Sequence, residues 1–187
     1  MTILKTDRFD YLINPNPKIF FSLIHGDDLN EVNHYCNNLM ENIAGFEAEK
    51  EMRIEKIYFE NLKNNFEELE TSINSMTFFS GVKVIVIKNI SENINEKFKK
   101  ILIENSNNTY TKILATSKTL GYRSSLKKFI DNSSNCLNIF INNNISEKNI
   151  QKIISEFNIN FDNVETFKRL VNYANEVNLS EFREKLQ

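Results

Sequence analysis

Gly26, Asp27 and Asp28 follow an apolar run and precede a segment with helical periodicity. That is where an α/β protein would hold a phosphate on a helix N-terminus. A phosphate-cradling loop of the form G-x-x-x-x-G-K-[ST] needs backbone N–H groups, a lysine and a hydroxyl on Mg²⁺. Gly26 opens that frame, but Glu31, Val32 and Asn33 stand where the second glycine, the lysine and the hydroxyl belong. Asp27 and Asp28 would also put negative charge where phosphates sit. The same two carboxylates could instead hold Mg²⁺ in a phospho-acceptor site of receiver type, which needs a third acid at the end of the central strand. That strand ends in Lys88-Asn89, so the acid is missing, and with it a Walker-B-like metal ligand. The expectation is that Asp28 caps a helix and Asp27 is solvated.

His25 and His34 lie far from any Cys or Ser nucleophile in a local motif, and His25 reads as a satisfied, half-buried residue at a strand end. Cys36 and Cys136 have no C-x-x-C partner and no histidine pair, which suits reduced thiols in the core of a cytosolic protein. No metal site and no cofactor is expected. Arg123, Lys127 and Lys128, with Lys118 nearby, gather at a helix start. A solvated helix face is the plain reading, and contact with a DNA phosphate backbone is the functional one. The whole chain has 23 Lys and Arg against 25 Asp and Glu, so it lacks the basic excess of a dedicated nucleic-acid binder. Met76, Thr77, Phe78 and Phe79 remain, just ahead of a β-branched run. Adjacent residues of an extended chain face opposite sides, so both rings cannot enter one core. An exposed Phe pair would be a binding hot spot.

The elements that position these residues can be read in order. A short helix through Phe9, Tyr11 and Leu12, capped by Thr6 or Asp7, would end before Asn14-Pro-Asn-Pro17. Ile19–His25 reads as the first strand, and a helix from Leu29 to Ile43 ends at Gly45. Arg53–Phe59 reads as the second strand. A helix through Phe66, Leu69 and Ile73 leads to the Phe-Phe loop, turned by Gly81. Val82–Ile87 then reads as a strand buried on both faces. Helix 95–104, strand Thr111–Thr116, helix 124–133 and strand Cys136–Ile141 follow. This alternation predicts a doubly wound, mostly parallel five-stranded α/β domain over residues 1–142. After the run Asn142-Asn143-Asn144 the pattern is helical only, over 146–157 (capped by Ser146), 163–176 and from Leu179 on. Residues 143–187 thus read as a small helical subdomain, expected to be cut short at Gln187. With 187 residues, no apolar run of membrane-spanning length and no secretory leader, the expected setting is the cytoplasm.

Several of these segments, in order, resemble one family. Phe20-Phe-Ser-Leu-Ile-His-Gly-Asp-Asp28, Ser75-Met-Thr-Phe-Phe-Ser-Gly-Val-Lys-Val-Ile-Val-Ile-Lys88, Leu120-Gly-Tyr-Arg-Ser-Ser-Leu-Lys-Lys-Phe129 and Glu184-Lys-Leu186 are similar to segments of the delta subunit of bacterial DNA polymerase III. That subunit belongs to the clamp loader and opens the sliding clamp. The resemblance implies an AAA+-like α/β domain without a functional P-loop, then a helical lid, with the family's C-terminal collar domain expected to be absent. It implies that Phe78 and Phe79 form a hydrophobic wedge for the clamp's pocket, flanked by Met76 and Thr77. It also implies a non-catalytic subunit whose partners are the sliding clamp (beta), gamma/tau and delta prime, with primed DNA met indirectly and no membrane. Gly81 and Val82 depart from the family, which often carries a basic residue there, although Lys83 is adjacent. Asn175-Glu-Val-Asn178 departs from a Gly-Asp turn. A delta-prime type would need zinc-binding cysteines, and only Cys36 and Cys136 are present. The alternative from the enzyme class is an ATP- or Mg-dependent phosphotransfer domain of P-loop or receiver type with a divergent site.

Overall fold

In the computed structural model, which describes residues 8–63, 65–141, 147–157, 159, 163–177 and 179–186, the apolar runs become five strands. They are β1 (Phe21–Gly26), β2 (Ile54–Tyr58), β3 (Lys83–Lys88), β4 (Thr111–Lys118) and β5 (Cys136–Ile141). The strands form one sheet in the order β2-β3-β4-β1-β5, and every pairing is parallel rather than only most of them. All-parallel pairing follows from the connections, because each pair of successive strands is separated by at least one helix.

The helices of this part are α1 (Arg8–Ile13), α2 (Leu29–Ala44), α3 (Phe59–Leu62), α4 (Phe66–Asn74), α5 (Glu96–Glu104) and α6 (Ser125–Asp131). Helices α1 and α2 cover one face through Tyr11, Val32, Cys36, Leu39 and Met40, against Ile24, Val84, Val86 and Leu114. Helices α3 to α6 cover the other face, where Leu69, Phe98, Ile101, Leu126 and Ile130 pack on Phe21, Leu23, Ile85 and Ile87. Phe98 centres that layer, with the rings of Phe59 and Phe66 each 5.7 Å from it and Phe21 at 6.4 Å.

Several element ends differ from the sequence reading, among them β3, which runs Lys83–Lys88 rather than from Val82 to Ile87, and α6, which runs Ser125–Asp131 rather than over 124–133. Phe59 does not finish β2 but opens α3, which sets its ring edge-on against Phe98. β1 starts at Phe21 and runs through Gly26. β4 continues to Lys118 because the polar residues there find partners: Thr116 O accepts from Ile90 N, and Ser117 Oγ donates to Ile90 O at 3.0 Å.

The chain divides into two compact units, Met1–Ile141 and Asn142–Gln187. The second, taken by itself, holds α7 (Glu147–Glu156), α8 (Val164–Glu176) and α9 (Leu179–Leu186) among the described residues. Ile150, Ile153, Ile154, Val171, Ala174 and Phe182 make its core. Asn163 caps α8, accepting from Thr166 N at 2.7 Å, and Arg183 pairs with Glu156. The expected caps Thr6 or Asp7 and Ser146, the run Asn142 to Asn144, Asn178 and Gln187 lie outside the described residues. Among those described, no helix is long and apolar enough to cross a membrane.

Candidate protein-docking loop

The two ends of a parallel sheet are chemically different places, and the sequence-read sites divide between them. At the carboxyl ends of the strands, adjacent β1 and β4 send their chains to opposite faces. That makes the crevice between them the usual ligand position of an α/β sheet. Here it is filled by the protein's own groups. Asp28 caps α2 as expected, accepting from Asn30 N (2.9 Å) and Glu31 N (3.4 Å). Asp27 is exposed and accepts from Thr119 Oγ1 across the crevice. Gly26 is a strand residue rather than the start of a phosphate loop, and a Cβ there would meet Ile141 O at 2.3 Å. His25 is not half-buried but 2% exposed. Its Nδ1 accepts from Leu120 N at 3.4 Å, while its Nε2 and the neighbouring-strand Asn138 Oδ1 have no hydrogen-bond partner among the described residues. Burial pushes the His25 pKa down and favours the neutral ring, outweighing the raising effect of the Asn138 side chain and of the Asp131 and Asp27 charges.

Arg123, Lys127 and Lys128 follow β4 at this same end, in the loop and first turns of α6. Arg123 and Lys128 are exposed and Lys127 is half-buried. His34 Nε2 lies 3.1 Å from Asn38 Nδ2, one turn further along α2. Burial raises the Cys36 thiol to about 12 and the Cys136 thiol to about 11, so both are held as unreactive thiols. Among the described residues no group of three His, Cys, Asp or Glu side chains could hold a metal.

The opposite end carries the aromatic loop. Helix α4 stops at Asn74 because Ser75 turns extended, and the chain runs over the sheet edge before entering β3. Met76 is 97% exposed, Phe78 fully exposed and Phe79 53% exposed. Thr77 Oγ1 donates to Phe79 O at 2.8 Å, which ties the tip into a local turn and presents the rings outward. Gly81 has φ +129°, a conformation that L side chains rarely adopt.

Two buried cations hold the base of this loop. Lys83 Nζ donates to Ser72 O (2.9 Å), Ser72 Oγ (3.1 Å) and Ser75 Oγ (2.9 Å), and pairs with Glu55 at 3.0 Å. This binds the loop's entry to its exit. Arg53 lies over Gly81, and its Nη1 donates to both Ala44 O (2.6 Å) and Val82 O (2.9 Å) while its Nε donates to Glu51 (2.7 Å). A buried cation must find such acceptors or be neutralised. Sequence reasoning gave neither residue this part, although a lone lysine in a β-branched run was the available signal. What the arrangement can do is bind. It holds large apolar side chains in water on a braced backbone, and burying each ring in a partner contributes roughly 1.5–3 kcal/mol.

The strand order and the covered sheet define a doubly wound, all-parallel α/β core, and that fold is shared with solved structures of two clamp-loader proteins. The Bacillus subtilis DNA clamp loader delta protein aligns with 97% of this chain at a TM-score of 0.65 and 13% identity, over 55% of its own length. A Thermotoga maritima DNA polymerase III gamma subunit-related protein aligns with 94% of this chain at a TM-score of 0.50 and 13% identity, over 60% of its own length. The chain therefore spans a little more than half the length of these structures. No family model and no curated protein matches the sequence.

Proposed function

We propose that this chain is a clamp-loader delta subunit of a bacterial DNA polymerase III. It binds the sliding clamp through Phe78 and Phe79, flanked by Met76 and Thr77, and opens the ring for loading onto DNA. The observation that carries this reading is the pair of exposed rings on a loop braced by Lys83 and Arg53. A flexible loop would lose entropy on docking, whereas a braced one has already lost it. The wedge must favour the open ring over the closed one, because a ligand that binds both states equally shifts neither. Energy from ATP would then enter through other subunits, the gamma/tau type, with delta prime completing the assembly in the cytoplasm. Residues 143–187 would serve as the helical lid. Arg123, Lys127 and Lys128 stand at the far end of the sheet from the wedge, so a contact with the DNA backbone there would not compete with clamp binding. Calorimetric titration of the clamp into wild type and into Phe78→Ala/Phe79→Ala tests the reading. Binding without nucleotide that the double variant loses supports it, and equal binding by both chains overturns it.

A further inference from the structure

Two rings and a methionine make a small contact. At about 200 Å² for a large side chain, Met76, Phe78 and Phe79 together supply at most about 600 Å². A stable protein interface buries about 800 Å² on each partner. A partner that seats the wedge must therefore press on what surrounds it, and three more apolar side chains stand there. Phe46, Met52 and Tyr110 are between 78 and 85% exposed, and each lies in a loop tied directly to the wedge base.

The ties are backbone and guanidinium hydrogen bonds within the same sheet end. Val84 N donates to Arg53 O and Lys83 N donates to Tyr110 O, both at 2.8 Å. The register of β3 sets Ile54 beside Val84 on one side and Thr111 beside Lys83 on the other. Met52 and Tyr110 therefore flank the entry to β3 on its two sides, each about 5 Å away across the sheet at backbone level. Phe46 follows directly on Ala44-Gly45, and Ala44 O shares Arg53 Nη1 with Val82 O.

Met52 adds an independent sign. Its φ is 52°, in the left-handed region where a non-glycine residue is strained. Glycine would take that conformation without strain, and the exposed side chain packs on almost nothing. The fold gives no reason for a large apolar side chain there.

We infer that Phe46, Met52 and Tyr110 form, with the wedge, one docking surface for the same ring-shaped partner, in which the wedge fills a pocket and the flanking three lie against the surface around it. This inference rests on the clamp-binding reading. Lys50, whose Nζ lies 5.9 Å from the Phe46 ring centroid and pairs with Glu47 at 2.9 Å, would form with Glu47 part of the rim, as expected around an apolar patch that binds protein.

The experiment compares clamp affinity of the full chain by surface plasmon resonance in four variants. Met52→Gly with Phe46→Ser is expected to weaken binding at least tenfold, and Tyr110→Ser several-fold, with melting temperatures equal to or above wild type. Tyr122→Ser, an exposed aromatic at the opposite end of the sheet, is expected to leave affinity unchanged, and Phe78→Ala/Phe79→Ala to abolish binding. Affinities within twofold of wild type for the flanking variants, alongside loss in the wedge variant, overturn this inference and leave the clamp reading standing. Absence of binding by wild type overturns both. Hydroxyl-radical footprinting of the wild-type chain needs no variant: clamp-dependent protection of Met52 and Tyr110 supports the surface, and protection confined to residues 76–79 overturns it.

Discussion

The two ends of the sheet treat their exposed chemistry in opposite ways. At the carboxyl end, in the crevice where α/β proteins ordinarily act on ligands, the two acids and the glycine are absorbed into local structure, while Arg123 and Lys128 stay exposed beside it. Asp28 is a helix cap, Asp27 is bonded to Thr119, and Gly26 is a close strand contact. At the amino end the protein does the reverse. It buries two cations under a loop and leaves the loop's apolar side chains in water. Buried charge is costly and exposed phenylalanine gains nothing for the isolated fold. The difference teaches that the amino end leaves large apolar side chains to solvent on a braced loop, whereas the acids and the glycine of the β1–β4 crevice are used by the chain itself.

Substitutions can break this contrast, and the largest effect is expected in the proposed wedge. Phe78→Ala with Phe79→Ala should cost about 3–5 kcal/mol of clamp affinity. The melting temperature should stay unchanged, because the rings are solvent-exposed; calorimetry and thermal melts read the two quantities separately. The braces should behave oppositely. Lys83→Met strands the acceptors at Ser72, Ser75 and Glu55, and Arg53→Ala strands those at Ala44 and Val82. Each should lower folding stability by about 1–3 kcal/mol in urea unfolding. Each should also speed amide exchange in the loop 75–82.

At the carboxyl end, Gly26→Ala forces a methyl group onto Ile141 O and should cost about 1–3 kcal/mol of stability. It should not alter any nucleotide response, since the glycine acts here as a packing residue. The smallest effect is pH dependence from His25. Its pKa is lowered in the folded chain, so the unfolded chain binds the proton more readily. The stability this contributes is complete above the unfolded value of about 6.5 and is lost as pH falls toward the lowered folded value. Melting temperatures measured between pH 7.5 and 5.5 should fall more for wild type than for His25→Gln.

Much of the fold was legible because the strands are written in β-branched residues. Val82 to Ile87 could be little else than a buried strand, and Leu29 to Ile43 carried its periodicity and its Asp28 cap in full view. Phe59 was less legible, since an aromatic serves a strand end and a helix start equally well; only the ring cluster around Phe98 decides it. The wedge residues were legible as types, not as exposed side chains, because period-two alternation fixes sides without saying which side is solvent. Arg53 and Lys83 were illegible as braces for a different reason. Their acceptors are backbone carbonyls and serines 8 to 29 residues away, brought close only by the packed sheet end.

The most direct test of the account measures binding of the full chain to the sliding clamp of the same organism by surface plasmon resonance, without nucleotide, beside Phe78→Ala/Phe79→Ala. The expected result is nucleotide-independent binding that the double variant loses while its melting temperature stays at the wild-type value. Equal binding by the two chains, or no binding by either, would contradict it.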